Sequence, residues 1–230
     1  ADDEELLTLA EQAGCAGVFI GFESPTTEGL TEVGKRFNVH KGRSLAASVA
    51  RIQRHHMVVV GSFIIGLDVD TPGIGLRTAD AARAYGVDIL NTLFLTPLPG
   101  TKLWEQTVAQ GRLVLDQFPR DWQYYTLTYP VARYAQLTQQ QATDEMLACG
   151  RSFYSLTGIL GRVWKNIRSR RRPLITACAN LSNRKNQAVG RAAYARLNRE
   201  CDARACVARA SRPAWDAGLE PSLDVSGHSG

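Results

Sequence analysis

Apolar residues in the first hundred positions alternate between two patterns. One is a compact run bounded by turn residues: Gly17-Val18-Phe19-Ile20-Gly21-Phe22, then Met57-Val58-Val59-Val60-Gly61-Ser62-Phe63-Ile64-Ile65, then 89–95. Such runs mark strands buried on both faces of a parallel sheet. The other is a stripe at helical spacing, seen over 1–13 before a Gly14 stop, over 26–33, and over 44–55, where Leu45, Val49 and Ile52 share a face. Asp70-Thr71-Pro72 reads as a helix start for a segment reaching Tyr85, and 102–110 as a further helix. Strand, helix, strand, helix, strand, helix predicts an α/β chain with a parallel sheet.

Beyond Gly111 the pattern changes. Phe118, Trp122, Tyr124, Tyr125 and Tyr129 cluster, and one long helical stretch is predicted over 138–172. From Ala188 on, the chain is rich in Ala and Arg and closes with a small, polar stretch at 221–230, whose end is expected to be disordered. The division predicted is 1–115, 116–190 and a tail at 191–230.

Composition changes this picture little. The 230 residues are 44% hydrophobic, enough for one sizeable core or two small ones. A net charge of +5 permits an acidic partner without requiring one. No apolar run approaches the roughly 18 residues of a membrane span, and the start Ala1-Asp2-Asp3-Glu4-Glu5 is unlike a targeting peptide, so a cytoplasmic location is expected. Five scattered cysteines, Cys15, Cys149, Cys178, Cys201 and Cys206, argue against a disulfide framework and read as thiols. The opening directly in a helical pattern without Met suggests a piece of a longer protein. His55 and His56, adjacent at a helix end, are expected to face solvent.

Ligands of parallel α/β proteins bind at the carboxyl ends of strands, where loops converge. Three such ends are visible: Gly21-Phe22-Glu23-Ser24-Pro25, Gly66-Leu67-Asp68-Val69-Asp70 and Thr96-Pro97-Leu98-Pro99-Gly100-Thr101. They offer a carboxylate, glycines that allow close backbone approach, and a Pro-stiffened turn. Ordinary βα turns would look the same.

The stretch from Gly14 to Thr101, with these three strand ends in order together with Gly34-Lys35, Asn38 and Gly61-Ser62, resembles the later half of a radical S-adenosylmethionine (SAM) barrel. The subgroup is the one carrying an N-terminal cobalamin-binding domain, and the likeness continues to about residue 190. It implies a partial (β/α) barrel, the later half of a TIM-like barrel, followed by an α-helical C-terminal region. Members cleave cluster-bound SAM reductively to generate a 5′-deoxyadenosyl radical in a barrel that excludes water. On this resemblance Glu23, with Ser24 beside it, would bind ribose hydroxyls or the methionine ammonium. Lys35 and Asn38 would lie at the methionine carboxylate. Gly61, Ser62 and Gly66 would admit the nucleoside, and Thr96 and Pro97 would present backbone groups to adenine. The competing readings are a helix N-cap for Glu23, a solvated surface side chain for Lys35, and strand-on-helix packing for the glycines.

The departure from the family is large. The Cys-x3-Cys-x2-Cys loop that holds the iron-sulfur cluster is absent, as are the first three strand–helix units and the Asp-x-His-x2-Gly signature of a cobalamin domain. The chain alone is therefore expected to be inactive, with the edge of its first strand open to a complementing N-terminal half or to a second copy. The reaction implied for an intact enzyme is radical-mediated, methyl transfer to an unactivated carbon among the options, on a small-molecule substrate that the sequence does not name. A different class of reading takes Lys165, Arg168, Arg170, Arg171, Arg172, Arg184, Lys185, Arg191, Arg196 and Arg199 as a footprint for nucleic acid or an anionic membrane. With no nucleic-acid-reading motif beside these residues, the barrel reading is placed first.

Overall fold

The computed structural model describes residues 3–35, 44–169 and 171–210, with side chains through Cys201 and at Ala203. Its first part follows the expected alternation: α1 (Glu4–Gln12), β1 (Gly17–Glu23), α2 (Thr27–Glu32), α3 (Leu45–Arg54), β2 (Val58–Ile65), α4 (Ile74–Tyr85), β3 (Ile89–Phe94) and α5 (Lys102–Ala109). Both pairings, β1 with β2 and β2 with β3, are parallel. The side chains of Asp3, Thr26, Ser44 and Thr101 each accept a first-turn amide, which sets where α1, α2, α3 and α5 begin. Three strands make an open sheet among the described residues, so the α/β class is observed and a barrel is not.

Side chains alternate across a strand, and here the two faces have different fates. Phe22, Val59, Phe63, Ile65, Leu90 and Phe94 face the helices and enter the core, with Phe22 stacked on Phe63 at 5.5 Å and against Tyr85 of α4 at 5.2 Å. On the other face Phe19 is exposed, and Val60, Ile64, Asn91 and Leu93 are only half-buried. The two edges differ as well. On β3 the Tyr154 hydroxyl accepts from Leu90 N at 3.1 Å and donates to Leu90 O, while Phe94 N donates to Leu127 O at 2.8 Å. β1 pairs only with β2 among the described residues, so its outer side has room for another strand.

The single helix expected over 138–172 is two, α6 (Gln139–Phe153) and α7 (Leu156–Arg168). Tyr154 leaves the helical path to reach the edge of β3, and Ser155 restarts it by accepting from Gly158 N at 3.3 Å. The last helix, α8 (Pro173–Ala210), crosses position 190 without a break. Tyr194 meets Phe94 edge-on at 5.9 Å, and Leu197 is buried with Leu115, Tyr124 and Val131 in a second small core. This core uses part of the expected aromatic cluster around a 3-10 turn at Arg120–Tyr124, whereas Phe118 and Trp122 stay exposed. The disorder expected for the end of the closing stretch at 221–230 falls outside the described residues.

The predicted helix start at Asp70 is corrected in detail. Asp70 turns back, accepting from Gly66 N at 2.9 Å and Leu67 N at 3.0 Å, and α4 begins only at Ile74. Burial pushes the Asp70 carboxyl pKa up, and these two amide bonds oppose that rise. The free amides of α4 go to a distant carboxylate instead: Gly73 N and Gly75 N each donate to Glu145 of α6 at 2.7 Å. Gly75 is required there, because a Cβ would overlap the main-chain oxygen of Glu145.

At the amino end of the sheet, the carboxylate of Asp88 is buried and fully engaged. Oδ2 accepts from Gln53 Nε2 at 2.9 Å, Val59 N at 3.0 Å and Arg171 Nη1 at 3.3 Å, and Oδ1 from Asn166 Nδ2 at 3.0 Å. Asn180 Nδ2 reaches the Asp88 carbonyl at 3.0 Å. One residue thus ties β2, α3, α7 and α8 to the start of β3. Burial lowers the Arg171 pKa and Asp88 opposes that fall.

The expectation that both histidines face solvent fails for His55. Its ring lies between Glu4 Oε1 at 2.9 Å and Glu11 Oε2 at 3.0 Å, only 12% exposed, while the more open His56 meets Glu11 Oε1 at 2.7 Å. Hydrogen bonding, chiefly to Glu4, raises the His55 pKa above its ordinary 6.5. Bonding to His55 lowers Glu4, and bonding to His56 and then His55 lowers Glu11, below 4.5. The His55 contribution to holding α1 is complete below 6.5 and fades as pH rises through the raised folded value. The Glu4 and Glu11 contributions are complete above 4.5 and fade as pH falls through the lowered ones. Amide exchange in α1, corrected for intrinsic rates, is therefore expected to be slowest between pH 4.5 and 6.5. In His55→Ala the loss of protection at higher pH disappears.

Candidate functional site

Parallel pairing brings the carboxyl ends of all three strands to one edge of the sheet. Glu23 closes β1 with φ of 66°, a left-handed conformation uncommon for a residue with a side chain, at a break in register between Gly21 and Glu23. Its carboxylate, 19% exposed, accepts from Lys35 Nζ at 2.6 Å. Lys35, placed by the turn after α2, also donates to Gly21 O at 3.3 Å. Both competing readings fail on this geometry: α2 is capped by Thr26, whose Oγ1 accepts from Gly29 N at 3.1 Å, and Lys35 is half-buried and paired. Ser24 is buried beneath the turn, its Oγ accepting from Thr26 N at 3.2 Å. Asn38 lies outside the described residues.

The remaining sequence-predicted positions fall into two groups. Gly61 is turned toward the helices, where a Cβ would lie 2.8 Å from Val87, so its missing side chain serves packing. Ser62, buried on the opposite face, has its Oγ 3.4 Å from Asn91 Nδ2. Gly66, with φ of 104°, sits under the ring of Tyr134, and a Cβ there would overlap that ring. Thr96 is buried, its Oγ1 donating to Phe94 O at 3.1 Å, and Pro97 joins Gly66, Leu103, Arg112 and Tyr134 around a cavity of about 10 Å³. That volume holds about one water, so Tyr134 fills most of the space beside the second and third strand ends. Roomier depressions of about 340 and 390 Å³ open elsewhere, between α3 and α7 and between α6 and α8.

Sequence reasoning missed Tyr134, Glu32 and Arg112. Glu32 accepts from Asp68 N at 2.9 Å and Val69 N at 3.3 Å, tying α2 to the turn after β2, and Arg112 pairs with Asp68 at 2.8 Å. The Tyr134 hydroxyl is buried without a hydrogen-bond partner among the described residues, and burial drives its pKa upward. None of the three carried a local signal, since each comes from an element remote in sequence from the turn it serves.

Chemically, the first strand end offers a carboxylate with two acceptor oxygens beside an ammonium, a pair suited to a ligand that carries both charges. It does not offer a metal centre. No group of three or more His, Cys, Asp or Glu is placed to hold a metal ion among the described residues, and Cys15, Cys149, Cys178 and Cys201 are dispersed. Burial pushes the Cys149 thiol up to about 12, which keeps it protonated.

No protein-family model matches the chain. Among curated proteins it is 27% identical over 152 residues to an uncharacterized methyltransferase of Pyrococcus horikoshii, covering 66% of this chain and 32% of that one. It is 31% identical over 112 residues to the hopanoid C-2 methylase of Rhodopseudomonas palustris, covering 49% and 21%. It is 24% identical over 173 residues to the anaerobic magnesium-protoporphyrin IX monomethyl ester cyclase of Cereibacter sphaeroides, covering 75% and 27%. The chain is a distant, partial homologue of methyltransferases and a cyclase. It spans about a fifth to a third of the length of these relatives, so the homology speaks for a part of such a protein. None of the described helices is long and apolar enough to cross a membrane.

Proposed function

We propose that this chain supplies one wall of the SAM site in a cobalamin-associated radical SAM enzyme whose reaction is methyl transfer. The observation that carries the reading is the Glu23–Lys35 pair, held half-buried by a left-handed Glu23 at the end of β1. In this reading Glu23 accepts from the ammonium or ribose hydroxyls, and Lys35 swings from Glu23 to the ligand carboxylate. Asn38 would assist Lys35, the turns at Ser24, Ser62, Gly66, Thr96 and Pro97 would follow the nucleoside, and Tyr134 would have to yield to admit it. Bound SAM is the source of the radical and methyl chemistry; the chain's own part is to bind, orient and exclude water.

The described cysteines do not fit an iron-sulfur cluster, and no step is assigned to one. The edge of β1 left open among the described residues, and the sheet face carrying the exposed Phe19 and half-buried Ile64, fit further strands added on that side, which would complete a barrel and could carry the cluster loop. Two of the relatives named above are methyltransferases and one is a cyclase, and the reading follows the two.

Equilibrium dialysis of the whole chain with radiolabelled SAM tests the reading. Saturable binding is expected, lost in Glu23→Ala and weakened in Lys35→Met, with thermal unfolding little changed because both side chains lie at a partly open edge. Absence of SAM binding, or equal binding by Glu23→Ala, would overturn it.

A further inference from the structure

Charge along this chain is strongly divided. Between Glu145 and Glu200 the sequence holds twelve Lys or Arg and no Asp or Glu, whereas the rest carries 15 Lys or Arg against 22 Asp or Glu. The described part of this basic stretch is mostly α7 and α8. Two of its cations are committed inside the fold, Arg162 stacking on Phe153 at 3.9 Å and bonding Asn180, and Arg171 pairing with Asp88, while the exposed Arg184 donates to Tyr154 O at 2.9 Å. Lys165 and Arg168 remain exposed on α7.

The same helix is apolar on its outer side. Leu156, Leu160, Trp164 and Ile167 are 55%, 67%, 62% and 50% exposed. At 3.6 residues per turn these four positions fall within roughly 80° of arc. Ile159 and Asn166 face inward and are buried, so the outer stripe is not the side that anchors α7. Arg168 and then Lys165 follow the stripe around the helix, and Leu174 at the start of α8 is also exposed, at 78%. A surface helix with two apolar sides is unusual unless the outer one has an occupant.

We infer that this outer face of α7 docks the protein on an anionic membrane surface, with Leu156, Leu160, Trp164 and Ile167 entering the headgroup and acyl boundary. Charge complementarity selects the occupant. A basic segment free of acids, flanking a Leu, Trp and Ile stripe, matches anionic headgroups above hydrocarbon. A nucleic acid would take the cations and leave the aliphatic side chains without a partner. No described helix is long and apolar enough to cross a membrane, and the face proposed here runs along one side of α7.

The test is co-sedimentation of the full chain with vesicles of phosphatidylcholine alone or containing phosphatidylglycerol. Expected are binding to the anionic vesicles and weak binding to the neutral ones. The apparent affinity should fall about tenfold or more in Leu160→Ser/Ile167→Ser, since those side chains lose their burial in the bilayer. It should fall again in Lys165→Glu/Arg168→Glu and at high salt. All four positions are exposed, so circular dichroism and thermal unfolding should stay as in the parent chain. Three results would overturn the inference: no anionic-vesicle binding, undiminished binding by the Leu160/Ile167 variant, or concentration-dependent self-association that this variant abolishes and that accounts for the covered face. Salt-sensitive duplex DNA binding without vesicle binding would assign the basic stretch to nucleic acid instead.

Discussion

Asp88→Ala is expected to destabilise the chain by about 3–5 kcal/mol, the usual cost of stripping one partner from a buried ion pair. The Asp88 carboxylate takes donors from Gln53, Val59, Asn166 and Arg171; Gln53 Nε2 also reaches Gly86 O at 2.8 Å and Asn166 Nδ2 also reaches Arg162 O at 3.0 Å, so these two amides keep a partner when the carboxylate is removed. Arg171 is the costly survivor: its Nε and Nη2 already lack partners among the described residues, and removal of Asp88 would leave the whole guanidinium buried and uncompensated. Asp88→Asn keeps the shape but turns an amide donor toward a group of donors, so it should recover only part of the loss. Urea unfolding of Asp88→Ala, Arg171→Met and the double variant checks the mechanism. The double variant should be distinctly less destabilised than the two singles added together, because the unpaired charge is gone. Simple additivity would show that the two groups do not depend on each other.

Gly66→Ala is expected to cost about 2–5 kcal/mol, combining strain at a positive φ with overpacking. At φ of 104° an L side chain is strained whatever room it has, and here the added Cβ would overlap the Tyr134 ring, which stacks near Phe94 at 6.3 Å in the main core. The two contributions can be separated. Tyr134→Ala opens space beside Gly66 at the cost of a large buried side chain, and in that background Gly66→Ala should retain only the backbone part of its penalty, about 1–2 kcal/mol. Equal penalties in both backgrounds would mean that the ring does not crowd Gly66. The pair also bears on the proposed site, since Tyr134 occupies the place where the nucleoside would approach the second strand end.

Elements whose character is set locally were legible in the chain. The three buried strands announce themselves as apolar runs, and the caps at Thr26, Ser44 and Thr101 lie next to the stripes they start. Their order implies parallel pairing because successive strands separated by helices must cross over. Asp70 shows the limit of such reasoning: as a local cap signal it is genuine, yet its carboxylate satisfies Gly66 and Leu67 while Glu145, seventy residues away, takes the amides of α4. The break at Tyr154 was hidden for a similar reason. Helical periodicity runs straight through it, and only the unpaired edge of β3 makes it favourable for the tyrosine to leave the helix.

The candidate site divides in the same way. Glu23 and Lys35 were identified by resemblance and lie together, 2.6 Å apart, but that Glu23 does not cap α2 was decided by Thr26 taking that position. What the sequence determined alone is the alternation of strands and helices, the location of the three strand ends and the division of charge, all properties of residues close in the chain. Tertiary structure decided the Asp88 cluster, the Tyr134 ring over Gly66, the histidine between two glutamates and the bare outer face of α7. Burial and exposure, and the partners they demand, are settled by which distant segments meet, and no window of sequence contains both halves of such a contact.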